Sequence, residues 1–285
     1  MKLSISHYSI YQSYKASNLS KMKRQLINLI KKIILHFIPT LRPSIERCNE
    51  EQRTLGIIFD KPIPQAKYQV ALTFDDGPSC TLNKAHDFAL SDYDNESTHK
   101  ILDILKEFNS KATFFICGEH CASPEGAEAL KRIQQEGHEI GVHCWSHSEN
   151  LIANSLPDIY ENINATKKII KDITGTEPTL MRPPRGEIEK VTTQFIFSHT
   201  KLRIVLWTVA SRDWLLYTTE QSVNHIKSNI EPGSIILMHD IYNNTPHTLK
   251  RILKELSEQN VKFVTVSQLI EDSKSKDKYF QIKNS

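Results

Sequence analysis

From residue 68 onward, short β-branched and aromatic runs alternate with amphipathic stretches, so the hydrophobic period switches repeatedly between 2 and 3.6. Strands are predicted at 68–74, 112–117, 138–143, 179–182, 202–209, 234–239 and 261–266, with helices at 98–109, 125–136, 157–173, 187–199, 219–229 and 246–259. The punctuation agrees: Ser123-Pro124 and Leu156-Pro157 stand before helices, and Gly137 and Gly175 stand after them. Such alternation implies parallel strands joined by right-handed crossovers. A closed barrel and an open doubly wound sheet both satisfy it. No Gly-x-Gly-x-x-Gly follows the first strand, which removes the usual nucleotide signature of the open form. The expected fold is therefore α/β, a distorted, incomplete (β/α)7 barrel of parallel strands with a basic helical N-terminal leader. The domain is expected at 67–272, after a leader at 1–66 and before a polar tail at 273–285. The polar stretch 80–96 is long for a loop between a strand and its helix, which marks it as a lid, a binding loop or disorder.

Charge changes the picture of the leader. Residues 1–45 carry six Lys and two Arg and no acid, while the whole chain sums to +3, so the remainder is acidic at −5. Basic charge confined to one terminal segment gives no reason to expect nucleic-acid binding. Leu26, Ile30, Ile33 and Phe37 recur at helical spacing, but Lys31 and Lys32 interrupt them. That run falls short of the ~20 apolar residues that span a bilayer, and no signal-peptide cleavage pattern is clear. A basic amphipathic helix in 20–40, resting on an anionic membrane surface, is one expectation, and a helix packed on the domain or a poorly ordered leader is the other. A cytoplasmic or membrane-peripheral location is favoured over the alternatives, and a monomer is expected. The five cysteines are an odd number without a regular framework, which fits reduced thiols better than a disulfide scaffold. Cys117-Gly-Glu-His-Cys121 has no second ligand pair at finger-like spacing and reads as a strand end entering a loop.

In a parallel barrel the active site forms at the carboxyl ends of the strands. The first predicted strand ends in Asp75-Asp76-Gly77-Pro78 and the third in His143-Cys-Trp-Ser-His147. The fourth ends in Arg182-Pro-Pro-Arg-Gly186, the fifth runs into Arg212-Asp213-Trp214, and the sixth ends in His239-Asp240. Singly these are a turn, a helical neighbour pair, an extended loop and a loop pair. Jointly they present acid, imidazole and guanidinium groups toward one face. Two imidazoles and a carboxylate suit a divalent ion such as zinc or cobalt, and three protein ligands leave a position for water. Adjacent carboxylates can divide metal binding from proton transfer, and a distant histidine can protonate a leaving amine. That set describes hydrolysis of an amide or ester through a tetrahedral oxyanion.

The stretch from about 68 to 271 resembles the polysaccharide deacetylases of the NodB type, carbohydrate esterase family 4, with Thr73-Phe-Asp-Asp-Gly-Pro78 as the first of five motifs in order. The resemblance implies an acetylated glycan as partner, N-acetylglucosamine units foremost and O-acetyl groups behind, and one divalent metal, zinc, with cobalt or nickel possible. It implies Asp75 as general base and Asp76, His143 and His147 as metal ligands. Arg182 would orient the base, and Asp213 would steady that arginine. His239 would be the general acid, while Trp214, Leu237 and Pro184 would contact substrate. Arg185 stands where the family usually has an aromatic residue; it keeps the backbone N–H of that position, and its charge predicts a preference for a glycan bearing carboxylate or phosphate. Cys144 replaces the usual hydroxyl residue, with a looser loop expected, and Ala210 stands where an acid often sits. A silent carbohydrate-binding protein on the same fold is the rival, yet it would be expected to lack Asp75 or His239.

Overall fold

A computed structural model of the chain describes residues 58–63, 68–79, 93–215 and 217–273. The leader helix and membrane segment, most of the 80–96 loop, Cys48, Cys80 and the tail beyond 273 lie outside the described residues.

The strands are β1 (Ile58–Phe59), β2 (Gln69–Asp75), β3 (Thr113–Ile116), β4 (Glu139–Val142), β5 (Leu180–Met181), β6 (Arg203–Val205), β7 (Val209–Ala210), β8 (Ile235–His239) and β9 (Lys262–Val264). The helices are α1 (Ser97–Glu107), α2 (Pro124–Gln135), α3 (Leu156–Thr174), α4 (Lys190–Thr200), α5 (Thr219–Asn229) and α6 (Thr245–Ser257), followed by a helical segment α7 at 266–273. The sheet runs β1-β6-β5-β4-β3-β2-β8-β7, with β9 also on β2, and every pairing between these strands is parallel. This is the expected incomplete barrel. β2 lies at its centre and is buried along its whole length, as a strand covered on both faces must be. Ala71, Phe115, Leu180, Val205 and Ile235 form one cluster with Ile63 and with Val266, Leu269 and Ile270 of α7. Burying such a cluster supplies about 25 cal/mol per Å² of apolar surface, the dominant favourable term in folding.

The structure differs from the predicted pattern in two ways that shape the site. The sheet starts at Ile58, inside the stretch assigned to the leader, because β1 pairs with β6 and Ile63 donates its N–H to Gly233 O. The single strand predicted at 202–209 is two strands at opposite ends of the sheet. β6 pairs with β5 and β1, while β7 pairs with β8. Leu206, Trp207 and Thr208 cross the gap, with Leu206 N–H bonded to Phe59 O and Thr208 N–H to Ile235 O. Chain continuity, rather than a ladder, brings the two ends of the sheet together. A hydrophobic run alone cannot reveal such a break, since both halves are buried and apolar.

Candidate active site

Register explains why residues so distant in sequence meet. Asp75 lies opposite His239 in the β2–β8 ladder and opposite Phe115 in β2–β3. Phe115 lies opposite Gly141, and Val142 opposite Met181. His143 and Arg182 each follow the last of these residues, so four strand ends deliver their polar groups at one level.

Arg182 is fully buried at the split between β6 and β7. Its Nε and Nη2 donate to the carbonyls of Val205 and Leu206 at 3.0 and 2.9 Å. Its Nη1 donates to Thr73 Oγ1 at 2.7 Å and to Asp75 Oδ1 at 2.8 Å, and the guanidinium lies over the Phe115 ring. The guanidinium therefore binds carbonyls at the break in the sheet and fixes the Asp75 carboxylate. Burying both charges is tolerable only with this full set of bonds. Thr73 opens the first motif, but sequence alone assigned it no role. Its signal was available: a hydroxyl alternating onto the inner face of an otherwise apolar strand.

Asp76, at a left-handed φ of 75°, turns its carboxylate away from Asp75's partner and toward the histidines. One oxygen lies 3.2 Å from His143 Nε2 and 3.9 Å from His147 Nε2, and it is buried without a hydrogen bond. His143 is buried, and its Nδ1 lies 2.7 Å from Arg182 O. A carbonyl can only accept, so Nδ1 carries a proton, and in the neutral ring Nε2 turns a lone pair on the carboxylate. Two lone-pair atoms at that distance repel unless something positive lies between them. A proton serves one such pair. A divalent cation serves all three ligand atoms of Asp76, His143 and His147, which lie within 4.8 Å of one another. Although burial raises it, the Asp76 carboxyl is held well below the usual range by the three imidazoles of His143, His147 and His239.

The His143 loop is firmly tied, contrary to the loosening expected from Cys144. Cys144 is buried at φ 66°, and its carbonyl accepts from Gly118 N–H. Trp145 O accepts from Glu119, and Trp145 N–H donates to Asn162. Gly118 opens the short 3-10 turn Gly118–Ala122, so the Cys117–Cys121 segment is a strand end and turn, as read. Cys117, Cys121 and Cys144 are buried and stand outside any disulfide.

Asp213 does not do what the resemblance implied. Its carboxylate steadies His239 and makes no contact with Arg182. Oδ2 accepts from His239 N–H and Thr245 Oγ1, each at 2.8 Å, and Oδ1 accepts from His239 Nδ1 at 2.8 Å. The physical reason is local: Arg212 at φ 62° starts the 3-10 turn Asp213–Leu215 at the end of β8 rather than over β5. Burial disfavours the charged ring of His239, but the Asp213 carboxylate, with Asp76 and Asp75 farther off, pushes its pKa up to about 9. Trp214 stands edge-on to the His239 ring at 5.1 Å, and Tyr242, which sequence reading passed over, does so at 5.6 Å. Tyr242 stacks in turn on Tyr93. Leu237 is buried in β8 between Thr73 and Ala210 in register.

Pro184 is buried in the turn Pro184–Gly186. Arg185, at φ 59°, sends its guanidinium to the carbonyls of His147 and Glu149 and to Glu187. Those contacts engage with the protein the charge that was expected to favour a glycan bearing carboxylate or phosphate.

Comparison with known proteins agrees with this geometry. Residues 63–201 match the family model described as polysaccharide deacetylase. A peptidoglycan-N-acetylglucosamine deacetylase of Listeria monocytogenes, PgdA, is 35% identical over 73% of this chain, but the match covers 40% of that relative, so the chain spans less than half of its length. A peptidoglycan-N-acetylglucosamine deacetylase of Bacillus cereus is 35% identical, with 75% of this chain and 72% of the relative covered. The crystal structure of the Bc1960 peptidoglycan N-acetylglucosamine deacetylase superposes with a TM-score of 0.68 at 31% identity, covering 78% of this chain and 97% of that one.

Proposed function

The chain belongs to the polysaccharide deacetylase family, and from that premise we propose that it hydrolyses the acetamido group of N-acetylglucosamine units in a peptidoglycan-like glycan with the help of one divalent ion, zinc foremost. One observation carries the reading: an orphaned Asp76 oxygen and two imidazoles converge beside a base held by Arg182 and an acid held by Asp213. Asp76, His143 and His147 would hold the ion. When bound, such an ion lowers the pKa of coordinated water toward ~7 and polarises the acyl carbonyl.

The remaining steps belong to the chain's own groups. Asp75 Oδ1 is occupied by Arg182, so the carboxylate is oriented to take the proton of the attacking water. The oxyanion that forms needs donors, and the turn Pro184–Gly186 offers the backbone N–H of Arg185. The N–H groups of Gly186 and Glu187 bond inward to Pro183 and Pro184, and that of Arg185 is not among those internal bonds. His239 has Nδ1 on Asp213, which leaves Nε2 to deliver a proton to the departing amine. Trp214 and Leu237 fit the acetyl group, as the resemblance implies. An acetyl ester would need less help from His239, because an alkoxide leaves more readily than an amide nitrogen.

The direct test is acetate release by the full chain from N-acetylglucosamine oligomers and peptidoglycan, beside acetylated xylan. Release from xylan alone would remove the amide reading. The pH profile checks the acid. His239 must be protonated to act, so the rate falls as pH rises through its pKa, with an alkaline limb at or below about 9 once an ion's charge opposes protonation. Asp213→Asn moves that limb toward the ordinary histidine value of 6.5. Stability has the same sign. A pKa raised in the folded state stabilises below about 6.5 and is lost as pH climbs through about 9, so the melting temperature should fall over that window, and less steeply in Asp213→Asn. An alkaline limb indifferent to Asp213→Asn would strike His239 from the mechanism.

A further inference from the structure

We infer that Arg185 is a positioning residue for His147, and that the clasp it makes on the loop carrying this imidazole sets the affinity of the site for its metal. The inference rests on the metal reading proposed above. The two histidines are held very differently. His143 is buried, with Nδ1 fixed by Arg182 O. The His147 side chain is 46% exposed, and its contacts in the structure are the Asp76 oxygen at 3.9 Å and the neighbouring His143 ring. Something other than its own ring must hold it in place.

The loop offers few candidates. Trp145 is tied to Glu119 and Asn162, but beyond it the bonds turn inward: Ser146 with Ser148 and Glu149, Asn150 with Ile152, Ala153 and Asn154, and Asn154 with Glu149. Leu151 gives an apolar anchor. Among the described residues, the hydrogen bonds that join 146–154 to another part of the chain are the two from Arg185. Nη1 donates to His147 O at 3.0 Å and Nη2 to Glu149 O at 2.8 Å, while Nε reaches Glu187 at 3.3 Å. A planar fork can grip two carbonyls at once, which a single ammonium does poorly.

The turn that aims this fork is costly in itself. Arg185 and Gly186 both take left-handed φ, 59° and 71°, and a Cβ on Gly186 would sit 2.8 Å from the Trp207 ring. A left-handed arginine costs on the order of 1 kcal/mol, so the turn persists because its bonds offset the strain. An aromatic side chain at position 185 has at most one donor and could not hold both carbonyls. The charge of Arg185 is thus engaged in holding a ligand loop, where sequence alone suggested recognition of an anionic glycan.

The test is the affinity of the full chain for Co²⁺ and Zn²⁺, measured in competition with a chromophoric chelator. Arg185→Gln should weaken binding about 10–100-fold, as loss of a group that orients a ligand does. Arg185→Lys should fall between, and Glu187→Gln should stay near wild type. In a His147→Ala background Arg185→Gln should cost little more, because the clasp acts through that imidazole. Wild type that binds no metal would sink the metal reading itself. Wild type that binds, with Arg185→Gln binding equally well, would overturn only this inference. So would a change in preference between charged and neutral glycans at unchanged metal affinity. If Arg185→Gln fails to fold, as judged by circular dichroism, Arg185→Lys alone and with His147→Ala decides the question in the same terms.

Discussion

Asp75→Asn should lower acetate release by about 10²–10⁴-fold, the usual contribution of a positioned base, while metal binding persists. The two carboxylates are neighbours in sequence, yet the structure gives them different partners. Asp75 faces Arg182, and Asp76 faces the two imidazoles. Asparagine keeps an oxygen for Arg182 Nη1 and loses the ability to accept a proton. It also leaves a buried guanidinium without its counter-charge, which costs about 3–5 kcal/mol and is a large share of an ordinary domain's stability. Inactivity alone would therefore be ambiguous. Retained Co²⁺ binding supplies the control, because Asp76, His143 and His147 can gather an ion only in a folded barrel. A folded, metal-binding Asp75→Asn enzyme with activity within tenfold of wild type would end the assignment of Asp75 as base.

The elements of this fold were legible because parallel strands buried on both faces read as short apolar runs, and three helices, α2, α3 and α5, have side-chain N-caps at Ser123, Ser155 and Thr218. The predicted helix at 219–229 coincides with α5, whose N-terminus has a capping box between Thr218 and Gln221. α4 begins later than predicted because Glu187 and Glu189 are extended where its first turn was expected. What stayed hidden depends on closure of the barrel. The break between β6 and β7 follows from where the sheet ends meet, and so does the way Arg182 binds the carbonyls of Val205 and Leu206.

The site divides along the same line. Residue types at strand ends pointed to a candidate metal site and proton relay, since chemistry of that kind needs few side-chain types, and the topology gathers those residues at one face. Partners could not be read so far ahead. Asp213 lies two strands away from Arg182 in chain order but beside His239 in space, because β7 joins β8 and leaves β6 behind. Tyr93 and Tyr242 were silent for another reason: an isolated antiparallel bridge after the 80–92 stretch brings them together, and no periodicity marks such a bridge. Thr98, which donates to Asp240 Oδ2 and accepts from Ser79 N–H, ties the first turn of α1 to the loop after Asp76 by the same kind of long-range pairing.

Removal of the ion is expected to have the largest effect of all. Dialysis against a strong chelator should bring acetate release to background, and Zn²⁺ or Co²⁺ should restore it. An ion that activates water supplies several kcal/mol of transition-state stabilisation, on the order of 10³-fold or more at ~1.36 kcal/mol per decade. His143→Ala should reproduce the chelated state with no rescue by added metal. His143 would be the buried ligand, and the Asp76 oxygen it faces already lacks a hydrogen bond, so the interior offers no substitute for the lost imidazole. His147→Ala should be milder and partly rescued at high metal concentration, because that ring is half exposed and solvent can fill its place. The order of the two variants is the discriminating result. Equal losses in both would mean that burial of His143 confers nothing on the site. Full activity in a protein shown by elemental analysis to be free of zinc, cobalt and nickel would mean that the three converging ligand atoms serve some purpose other than hydrolysis.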